Sequence, residues 1–225
     1  IMNLSVDYLD NQIVFASDYI NAVEIENKRY FYRFVNDLYS VYISGYSDNL
    51  KFFQDNKEIN MNGKIKVFIN YFDFQFDSKK YTNEISRFVS NYINEEDTKN
   101  LINLYGKMTR IYKKALNDID LPLYVENDIS IDNINKLIKL GISSKEELLD
   151  NLLLLIDLEC TLKTNNLLVF INLKQYLNKE EIVELYKYAI YNNIQIILID
   201  SLSYGVTLKN EKKHIIDENL DEFVL

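Results

Sequence analysis

Along the first hundred residues the apolar positions recur mostly with a short period, broken once by a longer one. Asn21–Glu26 alternates Ala22, Glu24 and Glu26 against Val23 and Ile25, as a half-buried strand does. From Arg29 to Ile43 the spacing becomes helical, carrying Tyr30, Phe31, Phe34, Val35, Leu38, Tyr39 and Tyr42. Leu50–Ile59 predicts a hairpin that turns at Asp55-Asn56, and Lys66–Phe74 a second apolar strand rich in β-branched and aromatic residues. The middle of the chain reads as two long helical stretches, Tyr81–Asn117 and Ile131–Leu162, separated by Pro122, which interrupts any helix. Gly141 predicts a helix stop, with Ser143 or Ser144 opening the next helix ahead of Glu146 and Glu147. The last third returns to strands. Leu167–Asn172 and Gln195–Asp200 are continuously apolar, and between them Asn178 and Glu181 have the spacing of a capping box. Strand, helix and strand in about 34 residues form a βαβ unit with parallel neighbours. The fold class expected is therefore α/β, with a globular head formed by residues 1–80 and 165–225 and an extended α-helical leg at 81–164.

Composition narrows the chemistry. The 225 residues hold 25 Lys+Arg against 34 Asp+Glu, a formal charge of −9, which at first sight speaks against a phosphate-rich partner. Apolar residues make up 48%, enough for a real core. The longest apolar run near the middle, Leu152–Ile156, is far short of a membrane span, and IMNLSVDYLD lacks the pattern of a signal peptide. A single cysteine, Cys160, cannot make an internal disulfide, so a cytoplasmic location is expected. One cysteine and one histidine cannot build a zinc site of the usual richness. The five glycines stand at 45, 63, 106, 141 and 205, so no glycine-rich phosphate loop and no G-x-S-x-G elbow exists.

The remaining candidates are few. The turn Glu26-Asn27-Lys28-Arg29 could approach a phosphate at a helix start, but without glycine its backbone cannot wrap one. An acid-x-Lys pattern, found in some metal nucleases, occurs five times here (Glu26/Lys28, Asp55/Lys57, Asp77/Lys79, Asp97/Lys99, Glu211/Lys213) and so carries almost no information. His214 is expected on a late edge strand in a structural or solvated role, and Cys160 as a small core residue. Charge order is more informative. Thr98–Asn117 contains five cations and no acid, and Lys107, Arg110 and Lys114 share a helix face at i, i+3, i+7, either as a solvated surface or as a stripe that touches phosphates. Asp118–Asp132 contains five acids and no cation, reading either as an acidic surface loop or as hard oxygen ligands for Ca²⁺ or Mg²⁺. It is not an EF-hand loop, because Asp118-x-Asp120 continues into Leu121-Pro122.

In its last third the chain resembles a known family. Leu167–Asp200 looks like the signature βαβ of the Csn-two family, the CRISPR-associated adaptation proteins of type II-A systems. Lys212–Glu222, Val23–Tyr39 and the corner Tyr124–Asp128 are similar to that family too, in order over nearly the whole chain and in the length of its short form. The resemblance implies a head related to P-loop ATPases but lacking their phosphate loop, and a protruding helical leg. It further implies four chains forming a ring around double-stranded DNA entered at free ends, supported by Ca²⁺. No catalytic residues are implied; the role is in spacer acquisition beside the integrase and the effector nuclease. Asp118, Asp120, Glu126, Asp128 and Asp132 fall where relatives hold calcium, although Asn127 stands where relatives often show an acid. No motif transfers for the DNA surface. Lys107, Arg110, Lys113 and Lys114, with Lys28 and Arg29 as second choice, follow from charge order alone. The rival readings are a divalent-metal nuclease or residual nucleotidase, and a purely protein-binding scaffold.

Overall fold

The computed structural model describes residues 2–72, 79–125, 134, 138, 140–164 and 166–225. The chain divides into two compact units, one comprising residues 1–74 and 145–225, the other residues 75–144.

The first unit is built on two sheets. Strands β1 (Met2–Val6), β2 (Ile13–Phe15), β4 (Leu50–Gln54) and β5 (Lys57–Ile59) form an antiparallel sheet in the order β2-β1-β4-β5. Strands β3 (Ile20–Ile25), β6 (Ile65–Phe68), β7 (Leu167–Ile171), β8 (Ile196–Asp200), β9 (Glu211–Ile216) and β10 (Glu222–Val224) form the larger one, in the order β10-β9-β3-β8-β7-β6. All its pairings are parallel except that of β10 with β9. Three α-helices among the described residues belong to this unit, α1 (Lys28–Ser44), α4 (Leu148–Leu162) and α5 (Lys179–Tyr191), and α2 (Lys79–Ser90) and α3 (Glu95–Leu116) belong to the second.

One face of the large sheet packs Val23, Ile25, Val169, Ile171, Ile197 and Ile199 against Phe34, Leu38 and Val41 of α1 and against Leu4, Ile13 and Phe52 of the small sheet. Alternation sends Leu168, Phe170 and Leu198 to the other face, where all three are buried. There Lys66 of β6 reaches Glu159 of α4, and Tyr186 of α5 reaches Glu211 of β9. The fully apolar strands are thus explained by burial on both faces.

Local chemistry agrees with these elements. The hairpin turns at Asp55 and Asn56 with φ of 51° and 63°, the left-handed pair of a type I′ turn. Asn178 and Glu181 make the reciprocal capping box. Helix α1 begins at Asn27, whose side chain accepts from the Tyr30 N–H, and ends at Gly45 with φ of 79°. A Cβ at Gly45 would stand 2.5 Å from Asn60 Oδ1, so only glycine closes this helix.

Several expectations are corrected. Strand β3 is buried at all six positions rather than alternately, because it lies inside the parallel sheet. β6 ends at Phe68, short of Phe74. Residues 140–147 are not helical; α4 opens after Glu147 rather than at Ser143 or Ser144. This helix also belongs to the first unit rather than to a leg ending at 164, because Leu152, Leu155 and Ile156 seek the core there. Those inward positions are offset from Cys160, which is exposed rather than a core residue. β9 is not an edge strand, since β10 covers its outer side, and His214 is completely buried.

In the second unit the stretch expected as one helix from 81 to 117 is two, α2 (Lys79–Ser90) and α3 (Glu95–Leu116). The break comes where Asn94, accepting from the Asp97 N–H, caps α3.

Candidate nucleic-acid interface

Helix α3 sorts its charges along its axis. Glu95, Glu96 and Asp97 occupy the first turn and Lys113 and Lys114 the last, each sign at the end where the helix dipole favours it. That arrangement accounts for part of the charge order without any ligand. The remainder is Lys99, exposed near the helix start, and Lys107 and Arg110, which with Lys114 line one exposed face; Lys113 is exposed beside them. No residue of α3 is buried, and Leu104, Met108, Ile111 and Tyr112 are largely exposed. The helix therefore presents cations interleaved with apolar and aromatic side chains, a surface that can hold a phosphate backbone through its ammonium and guanidinium groups. Lys28 and Arg29 are exposed in the first turn of α1, in the other unit.

Asp118 and Asp120 follow α3 directly and are exposed. Glu126, Asp128 and Asp132, as well as Asn127, lie outside the described residues. Among the described residues no group of three or more candidate ligands comes together. An all-carboxylate donor set of this kind suits Ca²⁺ by its hardness.

The most unusual electrostatics lie on the sheet face opposite α1, where Glu24 and Asp200, near the ends of β3 and β8, meet Glu211 and Lys213 from the first half of β9. Lys174, from the 3₁₀ turn after β7, sets its ammonium 3.0 Å from Glu24 Oε1 and 2.5 Å from Glu211 Oε1. Lys213 is 3.0 Å from the same Glu24 oxygen and donates to the Val206 carbonyl. Tyr186 donates to Glu211, while Tyr204 N–H and Leu208 N–H donate to Glu24 and Glu211. Burial pushes the Glu24 carboxyl up, but Lys174 and Lys213 outweigh it and hold the group below its ordinary range. Burial likewise works against the Lys174 ammonium, and Glu211 with Glu24 more than reverses it, raising its pKa.

Asp200 is the acid left over. Burial, opposed by Lys174 and reinforced by Glu24 and Glu211, raises its pKa to about 7. Its Oδ1 accepts from the Lys174 N–H at 3.3 Å, whereas Oδ2 has no hydrogen-bond partner. Glu24, Asp200 and Lys213 are completely shielded from solvent, and the cluster ties the strands together. Sequence reasoning met Glu211 and Lys213 only as one of five uninformative acid-x-Lys repeats and assigned none of these residues a role. The available signal was an acid or a lysine placed between apolar neighbours inside a strand, as Glu24 is. His214 is a second isolated group: neither ring nitrogen has a hydrogen-bond partner, and burial, with Lys212 nearby, lowers its pKa to about 4.

The turn Glu26-Asn27-Lys28-Arg29 holds no cradle either, since the Asn27 side chain is spent on the Tyr30 N–H and the Glu218 carbonyl. No helix among the described residues is long and apolar enough to cross a membrane.

Comparison with known proteins places these features. No curated protein sequence matches the chain. Among solved structures, Stu0660 of Streptococcus thermophilus superposes with a TM-score of 0.65 at 13% identity, covering 99% of this chain and 76% of that one, so the two share a fold. The ATP-binding cassette MJ1267 of an ABC transporter, in its ADP conformation, reaches a TM-score of 0.43 at 12% identity over 100% of this chain and 91% of that one. The family model described as CRISPR-associated protein (Cas_Csn2) matches residues 44–220. This match spans most of the sequence, and the chain belongs to the CRISPR-associated Cas_Csn2 family.

Proposed function

We propose that the protein is a non-catalytic, sequence-independent double-stranded DNA-binding protein that acts in CRISPR spacer acquisition in the cytoplasm. In this reading four copies form a ring that receives DNA at free ends, alongside the adaptation integrase and the effector nuclease. Its first unit is a relative of P-loop ATPases without their phosphate loop, and its second is the helical leg. The observation that carries the proposal is the cation-only second half of α3, exposed on a chain of the Cas_Csn2 family. Lys107, Arg110, Lys113 and Lys114 supply the backbone contacts. Asp118, Asp120, Glu126, Asp128 and Asp132 hold Ca²⁺, which relieves the mutual repulsion of these carboxylates.

Retention of linear against closed circular DNA, with light scattering in Ca²⁺ and in excess chelator, tests this function. Linear DNA is expected to be retained and circular DNA excluded, with chelation weakening retention and loosening the ring. Equal retention of both forms refutes end entry, and indifference to chelator refutes the metal's role. Replacing Lys107 and Arg110 together is expected to flatten the salt dependence of binding by about one to two charges. An unchanged slope moves the DNA surface elsewhere. Cleavage of the linear DNA in Mg²⁺ or Mn²⁺, or turnover of ATP, would favour the nuclease or nucleotidase reading instead.

A further inference from the structure

Helix α1 turns an unusual face to solvent. Its core side carries Phe34, Leu38 and Val41, and the line opposite them runs through Tyr32, Asn36, Tyr39 and Ile43. Tyr32 is 72% exposed and Ile43 63%, at the positions where a solvated helix places its most polar residues. Tyr39 and Tyr42 lean on one another with ring centroids 5.8 Å apart, so the stripe is partly prepacked.

Its charges are also reversed. Lys28 and Arg29 occupy the first turn with no acid beside them, and the last turn has no base. Neither cation has a carboxylate within ion-pair distance among the described residues. At the opposite end stand Asp48 and Glu58, both exposed. Tyr46, next to the Gly45 cap, donates to Asp48 at 2.9 Å, and Gly45 lies against Asn60, two residues beyond Glu58, so both acids stand near the helix end. Bases at a helix start and acids past its end oppose the dipole and destabilise a lone helix. The only acid within α1, Asp37, faces inward and accepts from Tyr8, Ser47 and Asn49.

We propose that this face is the contact with a second copy of the chain, the two α1 helices packing antiparallel about a two-fold axis near Asn36. Antiparallel pairing sets Lys28 and Arg29 of one copy against Asp48 and Glu58 of the other, twice over, and covers Tyr32, Tyr39 and Ile43 in between. The contact is self-complementary, as a two-fold interface must be. It also cancels the reversed dipole, because each helix start then faces its partner's helix end. A nucleic acid is the poorer occupant: it would use the cations but leave the two acids facing phosphates. The inference rests on the self-assembly part of the proposed function and not on its DNA-binding part.

Lys28→Glu with Arg29→Glu tests it by sedimentation and thermal melting. Assembly is expected to require at least tenfold more protein, although the same change favours the isolated helix and raises the melting temperature of the dissociated chain. Adding Asp48→Lys and Glu58→Lys to that chain should restore the wild-type assembly. As a second measure, Asn36→Cys in a Cys160→Ser background should oxidise to a covalent dimer within the native assembly. If the chain assembles but neither charge reversal nor the cysteine affects it as stated, this face is not the interface. Loss of DNA retention with assembly intact would give the face to nucleic acid. A wild-type chain that is monomeric at every concentration would overturn the self-assembly reading and this inference together.

Discussion

Asp200→Asn isolates the one acid in the buried cluster that the lysines do not neutralise. Glu24 and Glu211 face Lys174 and Lys213, so an ionised Asp200 adds a net negative charge in a place shielded from solvent. Its pKa rises from the ordinary 3.8 to about 7. Between those values the folded chain keeps a proton that the unfolded chain releases, so this group's contribution is present at low pH and fades as pH rises through the window. At about 1.4 kcal/mol per pH unit, the loss amounts to roughly 4 kcal/mol by pH 7. Asparagine imitates the protonated acid and keeps an oxygen for the Lys174 N–H. Urea unfolding at a series of pH values from 4 to 8, at one low protein concentration, measures the effect. The variant should match the wild type near pH 4 and exceed it by a few kcal/mol at pH 8. Parallel profiles would refute the shift. A variant less stable at pH 8 would show instead that the lysines need Asp200 as a counter-ion.

The other predictions concern the same unit. His214→Leu should remove an acid sensitivity of opposite sign, because the unfolded histidine takes up a proton below about 6.5 that the buried ring refuses until about 4. Relative to the variant, the wild type should lose roughly 3 kcal/mol between those values in the same titration, and a constant difference would refute it. Asp200 and His214 thus offset one another near pH 5, and only the single variants expose either slope. Lys66→Met removes the ammonium that stands 2.5 Å from the buried Glu159 carboxylate, which Thr164 and Asn166 also serve. Denaturant unfolding should show a loss of about 3–5 kcal/mol. A loss below about 1 kcal/mol would mean that Glu159 takes up a proton instead.

How much of this was legible depends on how far apart the interacting groups lie. The βαβ between Leu167 and Asp200 was readable because its apolar runs, its capping box and its parallel partners lie within 34 residues. The hairpin was readable because Asp55-Asn56 alone sets its turn. Glu24 was misread as the polar side of a half-buried strand, since a period of two identifies a face but not what covers it. What covers it is Lys174, 150 residues away. Glu211/Lys213 shows the same limit. As one of five acid-x-Lys repeats it carried no weight, yet it is the one that meets Glu24 and Lys174 in the core. The net charge of −9 is not removed by burial: in the first unit Glu24, Asp37, Glu159, Asp200 and Glu211 are buried against Lys66, Lys174 and Lys213, so most of the negative total stays outside the core. What matters is where the charges stand, since the second half of α3 and the start of α1 keep their cations exposed. A negative total is compatible with phosphate binding once these charges are assigned to their places, and the salt slope at Lys107 and Arg110 measures the part of it that DNA would meet.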